Sequence, residues 1–213
     1  MGAGYYPIYI DMREREVLVV GGGSVALRKV RVLREHGAVV RIVAPEIVDE
    51  LKAMIDGCHC IWEKKEYAAG MIGDAWMVFS CTQREELNRQ IAQDAWNSRC
   101  LVNVVDNPEQ CSFIVPAILE RGPLSIAVST SGKSPLAARQ IRDELGAQYG
   151  EEMGVYLELL GEWRQRVKQS LTVEQRARFW TRTTDGEVRS LVKEGRILEA
   201  KGVVEKCFQS LLA

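Results

Sequence analysis

This sequence has no long apolar run, no strong net charge and very little histidine, and each absence excludes a class of protein. No stretch is long and apolar enough to cross a bilayer, and no cationic segment near Met1 leads into an apolar one. We therefore expect a cytoplasmic protein with no membrane partner. The 28 basic residues almost balance the 29 acidic residues, so no overall field attracts the chain to nucleic acid.

A metal site is also unsupported. The sequence has two histidines and six cysteines, and its densest group of candidate ligands is Cys58-His59-Cys60. A structural zinc ion needs four ligands, and no second Cys/His pair of suitable spacing is present. Alternation along a strand would turn Cys58 and Cys60 away from His59, so we interpret them as buried thiols on one sheet face. In the cytoplasm all six cysteines are expected to be reduced.

The most informative stretch that is present runs from Val17 to Ala26. Four apolar residues are followed by three glycines, and a helical pattern begins at once. This is the strand–turn–helix context in which G-x-G-x-x-G/A binds a dinucleotide. Gly21 would allow the tight turn, and Gly23 would let the backbone approach a pyrophosphate. The free N–H groups that open the helix would hold the phosphate charge. A plain glycine turn is the alternative.

Apolar strands alternate with helical patterns through the first half of the chain. Strands are predicted at 17–20, 39–43, 60–62, 76–80 and 101–105. Helical stripes begin at Ala26, Ile47 and Leu87. The alternation predicts a parallel, doubly wound sheet of the Rossmann type, whose ligands lie beyond the carboxyl ends of the strands. The residues predicted at those ends are Gly21, Gly22, Gly23, Ala44, Pro45, Cys81, Thr82 and Asp106.

Beyond Pro108 the pattern changes. Phe113–Val115 and Leu124–Val128 are predicted as strands that lie too close together in sequence for a crossover helix, so an antiparallel pair is expected. A helix is predicted at 136–149, and later residues carry only helical patterns, with breaks near 172, 184–186 and 195. The predicted fold class is α/β. It comprises a Rossmann-type domain over 1–112, a small α+β segment over 113–149 and a C-terminal α-helical domain over 150–213.

Two polar positions are candidates for chemistry or for anion binding. Asp106 ends the predicted strand 101–105 and would point to where a substrate meets the nicotinamide. An Asx turn before Asn107 is the alternative, and position alone does not decide between them. The loop 129–135 has hydroxyls, a glycine and Lys133 ahead of a helix, so it could cradle an anion. It could also be a capped helix start with Pro135 at the first helical position, and these two interpretations are compatible.

A basic stretch in the C-terminal third is interpreted as a solvated helix face. Six cations lie between residues 164 and 182, interleaved with Phe179 and Trp180, and nearby glutamates balance their charge. We expect no nucleic-acid partner, although some of these arginines could meet a polyanionic substrate.

Several motifs, taken in order, are similar to those of one family. They are Val19–Gly23 with Ala26, Arg28 and Lys29; Asn103–Asp106; Phe113–Ala117; Ser129–Pro135 with Ala138 and Arg139; and Arg176–Trp180. On these motifs the chain resembles the precorrin-2 dehydrogenase family, whose module also forms the N-terminal half of siroheme synthases. Each motif is common by itself, whereas all of them in this order are not.

The resemblance implies NAD-dependent oxidation of precorrin-2, a tetrapyrrole, to sirohydrochlorin in siroheme biosynthesis. It also implies a homodimer whose middle segments interlock, with 113–149 as the dimerisation segment and the active site between that segment and the Rossmann domain. The family's key aspartate falls on Asp106 and its active-site serine on Ser129. The implied dinucleotide contacts are Gly21, Gly22, Gly23, Ser24, Val25, Ala44, Pro45 and Thr82.

Some members of that family also insert Fe²⁺ into sirohydrochlorin. Metal insertion needs a base and usually a ligand that hands over the ion. His36 and His59 are both predicted on the side of the sheet away from the ligand, which leaves Asp106 as the well-placed base. The residues thus leave iron insertion open and favour dehydrogenase activity alone.

The choice of NAD over NADP rests on the resemblance. In Rossmann folds an acid at the end of the second strand usually binds the ribose, but here that strand ends Val43-Ala44-Pro45 and Glu46 comes one residue late. The alternative function is an NAD(H)-sensing regulatory protein. A regulatory protein that binds DNA would be expected to contain a helix-turn-helix or a net-basic segment, and the sequence shows neither.

Overall fold

The computed structural model describes residues 4–212, which form two compact units divided in sequence between Val115 and Pro116. The first unit contains a parallel sheet with helices, and the second contains a hairpin followed by helices. No helix within residues 4–212 is both long and apolar enough to cross a membrane.

Five parallel strands form the sheet of the first unit, in the spatial order β3-β2-β1-β4-β5. Their bounds are Glu16–Val20 (β1), Val39–Val43 (β2), Cys60–Glu63 (β3), Met77–Ser80 (β4) and Leu101–Val104 (β5). The helices between them are Ser24–Glu35 (α1), Asp49–Lys52 (α2) and Glu85–Asn97 (α3). The predicted doubly wound sheet is confirmed. Its strand order reverses at β1 and β4, and such switch points are where these sheets bind ligands.

The central strand β1 is buried on both faces because both faces are apolar. Val17 and Val19 face one apolar cluster, whereas Leu18 and Val20 face another that includes Ile91 of α3. Each of these four β1 residues is at most 2% exposed. A strand covered on both sides cannot slide or rotate, so the position of the glycine turn that follows it is fixed.

The helix predicted from the stripe at 47–55 is wrong in its length, because α2 has only four residues. Val48 precedes the helix in extended conformation, and its N–H donates to the Gly22 carbonyl at 2.9 Å. After α2, the Asp56 carboxylate accepts the backbone N–H groups of residues 58–60 and holds them in a loop. This loop exposes Cys58 and buries Cys60, so the expectation of two buried thiols on one sheet face is wrong for Cys58.

An antiparallel hairpin opens the second unit, as predicted, but its first strand begins later than expected. The strands are Ala117–Arg121 (β6) and Leu124–Val128 (β7). The predicted strand at 113–115 is wrong because Phe113 packs in the first unit. Its ring meets that of Phe79 edge-on at 5.5 Å, and its carbonyl accepts a hydrogen bond from Asn103 at 3.1 Å.

Five helices complete the second unit within the described residues. They are Pro135–Gln148 (α4), Glu152–Ser170 (α5), Val173–Thr183 (α6), Glu187–Lys193 (α7) and Ile197–Leu212 (α8). The predicted breaks near 172, 184–186 and 195 are confirmed. Trp163, Phe179 and Phe208 pack together in the helical core, with ring centroids 5.2–6.2 Å apart. Trp163 and Phe179, which lie beside and within the basic stretch, are therefore core residues and are not exposed for ligand binding.

Candidate functional site

The three glycines after β1 have different neighbours, which separates their roles. Gly21 has φ +117°, and a Cβ atom there would come within 2.7 Å of the Cys81 carbonyl oxygen. A Cβ atom at Gly22 would overlap the Glu46 carbonyl oxygen. A Cβ atom at Gly23 would meet nothing within 4 Å. The fold therefore requires glycine at the first two positions, whereas Gly23 leaves open space that a ligand can approach closely.

The N-terminus of α1 offers unpaired backbone donors beside Gly23. Gly23 is the N-cap and has no side chain to bond these donors, and the first turn of α1 carries no acidic residue. The first N–H bonded within the helix is that of Leu27, to the Gly23 carbonyl at 3.0 Å. Within residues 4–212, no acceptor bonds the N–H groups of Ser24, Val25 and Ala26. These donors, the helix dipole and the open space at Gly23 fit a pyrophosphate group.

The carboxyl end of β2 borders this cradle. The Ala44 carbonyl accepts a hydrogen bond from the Trp62 indole at 2.9 Å, and exposed Pro45 follows it. Arg41 lies earlier in β2 and is already engaged, because its guanidinium donates to the Glu16 carboxylate at 2.8 Å and to a backbone carbonyl. Arg41 is therefore not available to hold a phosphate on the ribose.

The carboxyl end of β4 is organised by Asn88, a residue that the sequence analysis missed. Its side-chain oxygen accepts hydrogen bonds from the hydroxyls of Ser80 and Thr82, both at 2.7 Å, and its amide donates to the Thr82 carbonyl at 3.1 Å. Asn88 fixes Thr82 next to the glycine turn. The available signal was a polar residue on the apolar face of α3, which otherwise buries Ile91, Ala92 and Ala95.

Asp106 lies in a turn at the carboxyl end of β5, as predicted. The turn is closed by the Asn107 N–H, which donates to the Val104 carbonyl at 3.2 Å. Asp106 has φ +59°, a left-handed conformation that aspartate tolerates better than most residues. Its side chain is exposed, and no described residue donates a hydrogen bond to its carboxylate or pairs with it. The carboxylate is not used as an Asx acceptor and is open to solvent.

The thiol of Cys111 contacts the backbone on both sides of Asp106. Its sulfur lies 3.1 Å from the Val104 nitrogen, 3.3 Å from the Val104 carbonyl oxygen and 3.2 Å from the Asn107 carbonyl oxygen. Ser112 continues the pairing through bonds to the Val102 backbone. Because β5 is the edge strand, these contacts take the place of a neighbouring strand and fix the chain on both sides of Asp106. Burial raises the pKa of Cys111, so the thiol keeps its proton for donation.

The loop at 129–135 is a capped helix start, as one of the two compatible interpretations predicted. The hydroxyl of Ser134 accepts the Ala137 N–H at 3.1 Å, and Pro135 is the first residue of α4. Ser129 is exposed, and its hydroxyl accepts the Ser131 N–H at 3.0 Å. Anion binding by this loop stays a prediction.

The two histidines lie away from the turn that carries Asp106. His36 ends α1, with Nδ1 2.8 Å from the Val32 carbonyl oxygen, and His59 lies in the loop that enters β3. Both positions belong to the amino-terminal edge of the parallel sheet. Within residues 4–212, no group of three or more His, Cys, Asp and Glu side chains is placed to hold a metal ion.

Two arginines of the basic stretch are paired with acids, and one of them also packs on a core aromatic ring. Arg178 pairs with Glu174 at 2.7 Å, and Arg166 pairs with Glu205 at 3.3 Å. The Arg166 guanidinium also lies over the Trp163 ring at 4.8 Å. These contacts are those of a solvated helix face.

A doubly wound sheet, a glycine turn with open space and free N–H groups at the following helix define a dinucleotide-binding protein. The chain belongs to the family described as putative NAD(P)-binding, whose model matches residues 8–117. Two further models match the second unit: the sirohaem biosynthesis protein central region at residues 121–148 and the sirohaem synthase dimerisation region at 153–208.

Individual proteins show the same similarity. The chain is 41% identical to the siroheme synthase of Mannheimia succiniciproducens over 94% of its own length and 42% of that protein. It is 39% identical to the siroheme synthase of Neisseria meningitidis serogroup C over 95% of its length and 42% of that protein. The chain thus spans about two-fifths of the length of these curated relatives. A solved structure of SirC, a precorrin-2 dehydrogenase, superposes with a TM-score of 0.78 at 26% identity, covering 95% of this chain and 100% of that one.

Proposed function

We propose that this protein is an NAD-dependent dehydrogenase that oxidises precorrin-2 to sirohydrochlorin in siroheme biosynthesis. One observation carries the proposal: the open cradle at Gly23 and the free carboxylate of Asp106 lie at the carboxyl ends of β1 and β5, on the same edge of one sheet. A binding protein needs only the cradle, whereas a dehydrogenase also needs a base. The similarity to SirC, which extends over nearly the whole chain, supports the choice of substrate.

The chemistry requires the loss of a hydride and a proton from the macrocycle. Bound NAD supplies the hydride acceptor. The N–H groups of Ser24, Val25 and Ala26 bind the pyrophosphate, and Thr82, held by Asn88, borders the same cradle. Asp106 accepts the proton, and its left-handed turn keeps the carboxylate exposed for that purpose. Ser129 is assigned to the active site on the family resemblance.

NAD rather than NADP is the proposed cofactor. A protein that binds NADP needs a cation for the phosphate on the ribose, and Arg41 is engaged with Glu16 instead. The exposed acid Glu46 follows Pro45 at the end of β2, where it would repel that phosphate. Comparing the calorimetric affinities of NAD⁺ and NADP⁺ tests this choice, and tighter binding of NADP⁺ would reverse it.

A homodimer is the proposed assembly. The match to a dimerisation region supports this assembly. Apolar side chains of the second unit that are exposed to solvent also support it. α4 buries Ala138 but exposes Leu136 and Ile141, and β6 exposes Ile118. A second copy of the chain would cover these side chains.

Turnover tests the proposed function directly. Precorrin-2 and NAD⁺ are incubated anaerobically with the protein, and NADH and sirohydrochlorin are followed by their absorbance. We expect catalysed formation of both products in equal amounts. Tight NAD⁺ binding without turnover would instead favour an NAD(H)-sensing protein.

A further inference from the structure

One cation of α1 differs from its neighbours. Arg28 and Arg31 are exposed to water, and Arg34 pairs with Asp56 at 2.8 Å. Lys29 is half-buried, and its ammonium lies 5.1 Å from the centre of the Phe79 ring. No carboxylate of residues 4–212 lies within ion-pair distance of it. The protein holds this charge partly out of water without giving it a counter-ion.

The surroundings of Lys29 place it at the β4 and β5 side of the switch point. Phe79 is in β4, Cys81 follows β4, and Cys111 is bonded to the end of β5. Both thiols lie near the ammonium, and as neutral thiols neither provides a counter-ion. The end of β2, where a Rossmann fold places the adenosine, is on the other side of β1. The charge therefore lies on the β4 and β5 side of β1, and the turn with Asp106 follows β5 on that side.

The groups around the ammonium do not neutralise it. Burial raises the pKa of Cys81 to about 12, so this thiol is uncharged near neutral pH. The Lys29 side chain is half-buried, and this burial lowers its pKa, the direction expected for a cation partly removed from water. The Phe79 ring offers a cation–π contact, a weaker partner than a carboxylate. An incoming anion would therefore gain a strong, partly desolvated interaction here.

We propose that Lys29 binds a carboxylate group of the macrocyclic substrate at the β4 and β5 end of the sheet and so positions the ring system near Asp106. This assignment rests on the proposed function, because the macrocycle is fringed with carboxylates. The competing anion is the pyrophosphate of the dinucleotide, and packing of the lysine stem on Phe79 is the purely structural alternative.

Two substitutions separate these possibilities. Lys29→Met keeps the length of the stem and its packing but removes the charge, and Lys29→Arg keeps the charge. Lys52→Met is the matched control, because Lys52 is exposed and already paired with Asp49 at 2.7 Å. Each full-length variant is titrated with sirohydrochlorin by absorbance and with NAD⁺ by calorimetry, and its thermal midpoint is measured.

We expect Lys29→Met to weaken sirohydrochlorin binding roughly tenfold or more, the effect of one lost charge-assisted contact, while NAD⁺ affinity stays within about twofold. The thermal midpoint should stay equal or rise, because a poorly solvated charge is removed. Lys29→Arg should restore most of the macrocycle affinity, and Lys52→Met should change neither affinity.

Equal sirohydrochlorin affinity in the wild type and Lys29→Met would overturn the assignment, as would a loss confined to NAD⁺. Absence of macrocycle binding by the wild type would be a different failure. It would reject the proposed function together with this assignment.

Discussion

At the scale of single residues, substitutions at two adjacent glycines should affect cofactor binding and folding stability separately. Gly23→Val adds a side chain in open space, so we expect the fold to persist while NAD⁺ affinity falls roughly 10–100-fold from the steric conflict with the pyrophosphate. Gly22→Ala is the matched control. Its added methyl group overlaps the Glu46 carbonyl, and it should lower the free energy of unfolding by about 1–3 kcal/mol. Calorimetric titration and chemical denaturation measure the two effects, and unchanged NAD⁺ affinity in Gly23→Val would move the dinucleotide away from this turn.

Asp106 allows a second test at this scale. Asp106→Asn removes the base but suits the left-handed turn, because asparagine tolerates that conformation as well as aspartate does. We expect kcat to fall by about 10²–10⁴-fold with NAD⁺ affinity unchanged. Steady-state kinetics under anaerobic conditions measure the loss. Near-normal turnover by Asp106→Asn would return this residue to the role of a turn former.

The residues of the cradle could be predicted from the sequence because their signals are local. Three glycines between an apolar strand and a helical pattern indicate the turn, and Asp106 directly follows the apolar run predicted as a strand at 101–105. The roles of Asn88 and Lys29 could not be predicted in this way, although Lys29 belongs to one of the motifs that carry the family resemblance. Their importance comes from neighbours distant in sequence, such as Thr82 and Phe79, which only the fold brings to them.

At the scale of elements, the edge strand β5 has a thiol at each end, and the two should differ in function. Cys111 bonds the backbone on both sides of Asp106, whereas Cys100 is buried at the opposite end of the strand. We expect Cys111→Ala to lower kcat roughly tenfold or more by loosening the turn, with NAD⁺ affinity unchanged. Cys111→Ser should restore part of the rate, because its hydroxyl still donates and accepts.

Cys100→Ala is the control for that prediction. It removes a buried thiol of the same strand and should cost stability without changing kcat. If the two alanine variants lost activity in proportion to their loss of thermal stability, Cys111 would be an ordinary core residue.

Strands that consist of apolar runs can be predicted with their bounds, whereas segments whose conformation is set by contacts with distant residues cannot. β2 and β7 have the bounds that their apolar runs indicated. The helical stripe at 47–55 shortened to α2 because Val48 is bonded to the glycine turn. The apolar run at 113–115 belongs to no strand, because the Phe79 ring and the Asn103 amide bind Phe113 instead. Apolar content alone does not reveal which partner such a segment will meet.

At the scale of the whole molecule, we expect a dimer. A two-stranded hairpin with exposed apolar side chains is marginal in isolation, and α4 leaves Leu136 and Ile141 uncovered. Sedimentation equilibrium should give twice the chain mass. Leu136→Glu should shift the distribution towards monomer, whereas Val173→Glu, at an exposed position on α6, should not. A monomer mass that is independent of concentration, with full activity, would contradict the dimer.

Iron insertion is the second expectation for the molecule as a whole. Both histidines lie at the amino-terminal edge of the sheet, so the edge with Asp106 receives no imidazole from the described residues. We expect siroheme to form from sirohydrochlorin and Fe²⁺ no faster than without protein, measured anaerobically by absorbance. Formation well above that rate, and its loss in Asp106→Asn, would show that the carboxylate also serves metal insertion.

The loop that exposes Cys58 provides a site at which a fluorescent dye can be attached covalently. Burial raises the pKa of the other five thiols, Cys60, Cys81, Cys100, Cys111 and Cys207. Because maleimides react with the thiolate, labelling near neutral pH should favour Cys58 without removal of any native cysteine. Cys58 precedes β3, at the edge of the sheet opposite the glycine turn. A dye there would report tumbling and self-association by its anisotropy while leaving the cradle untouched.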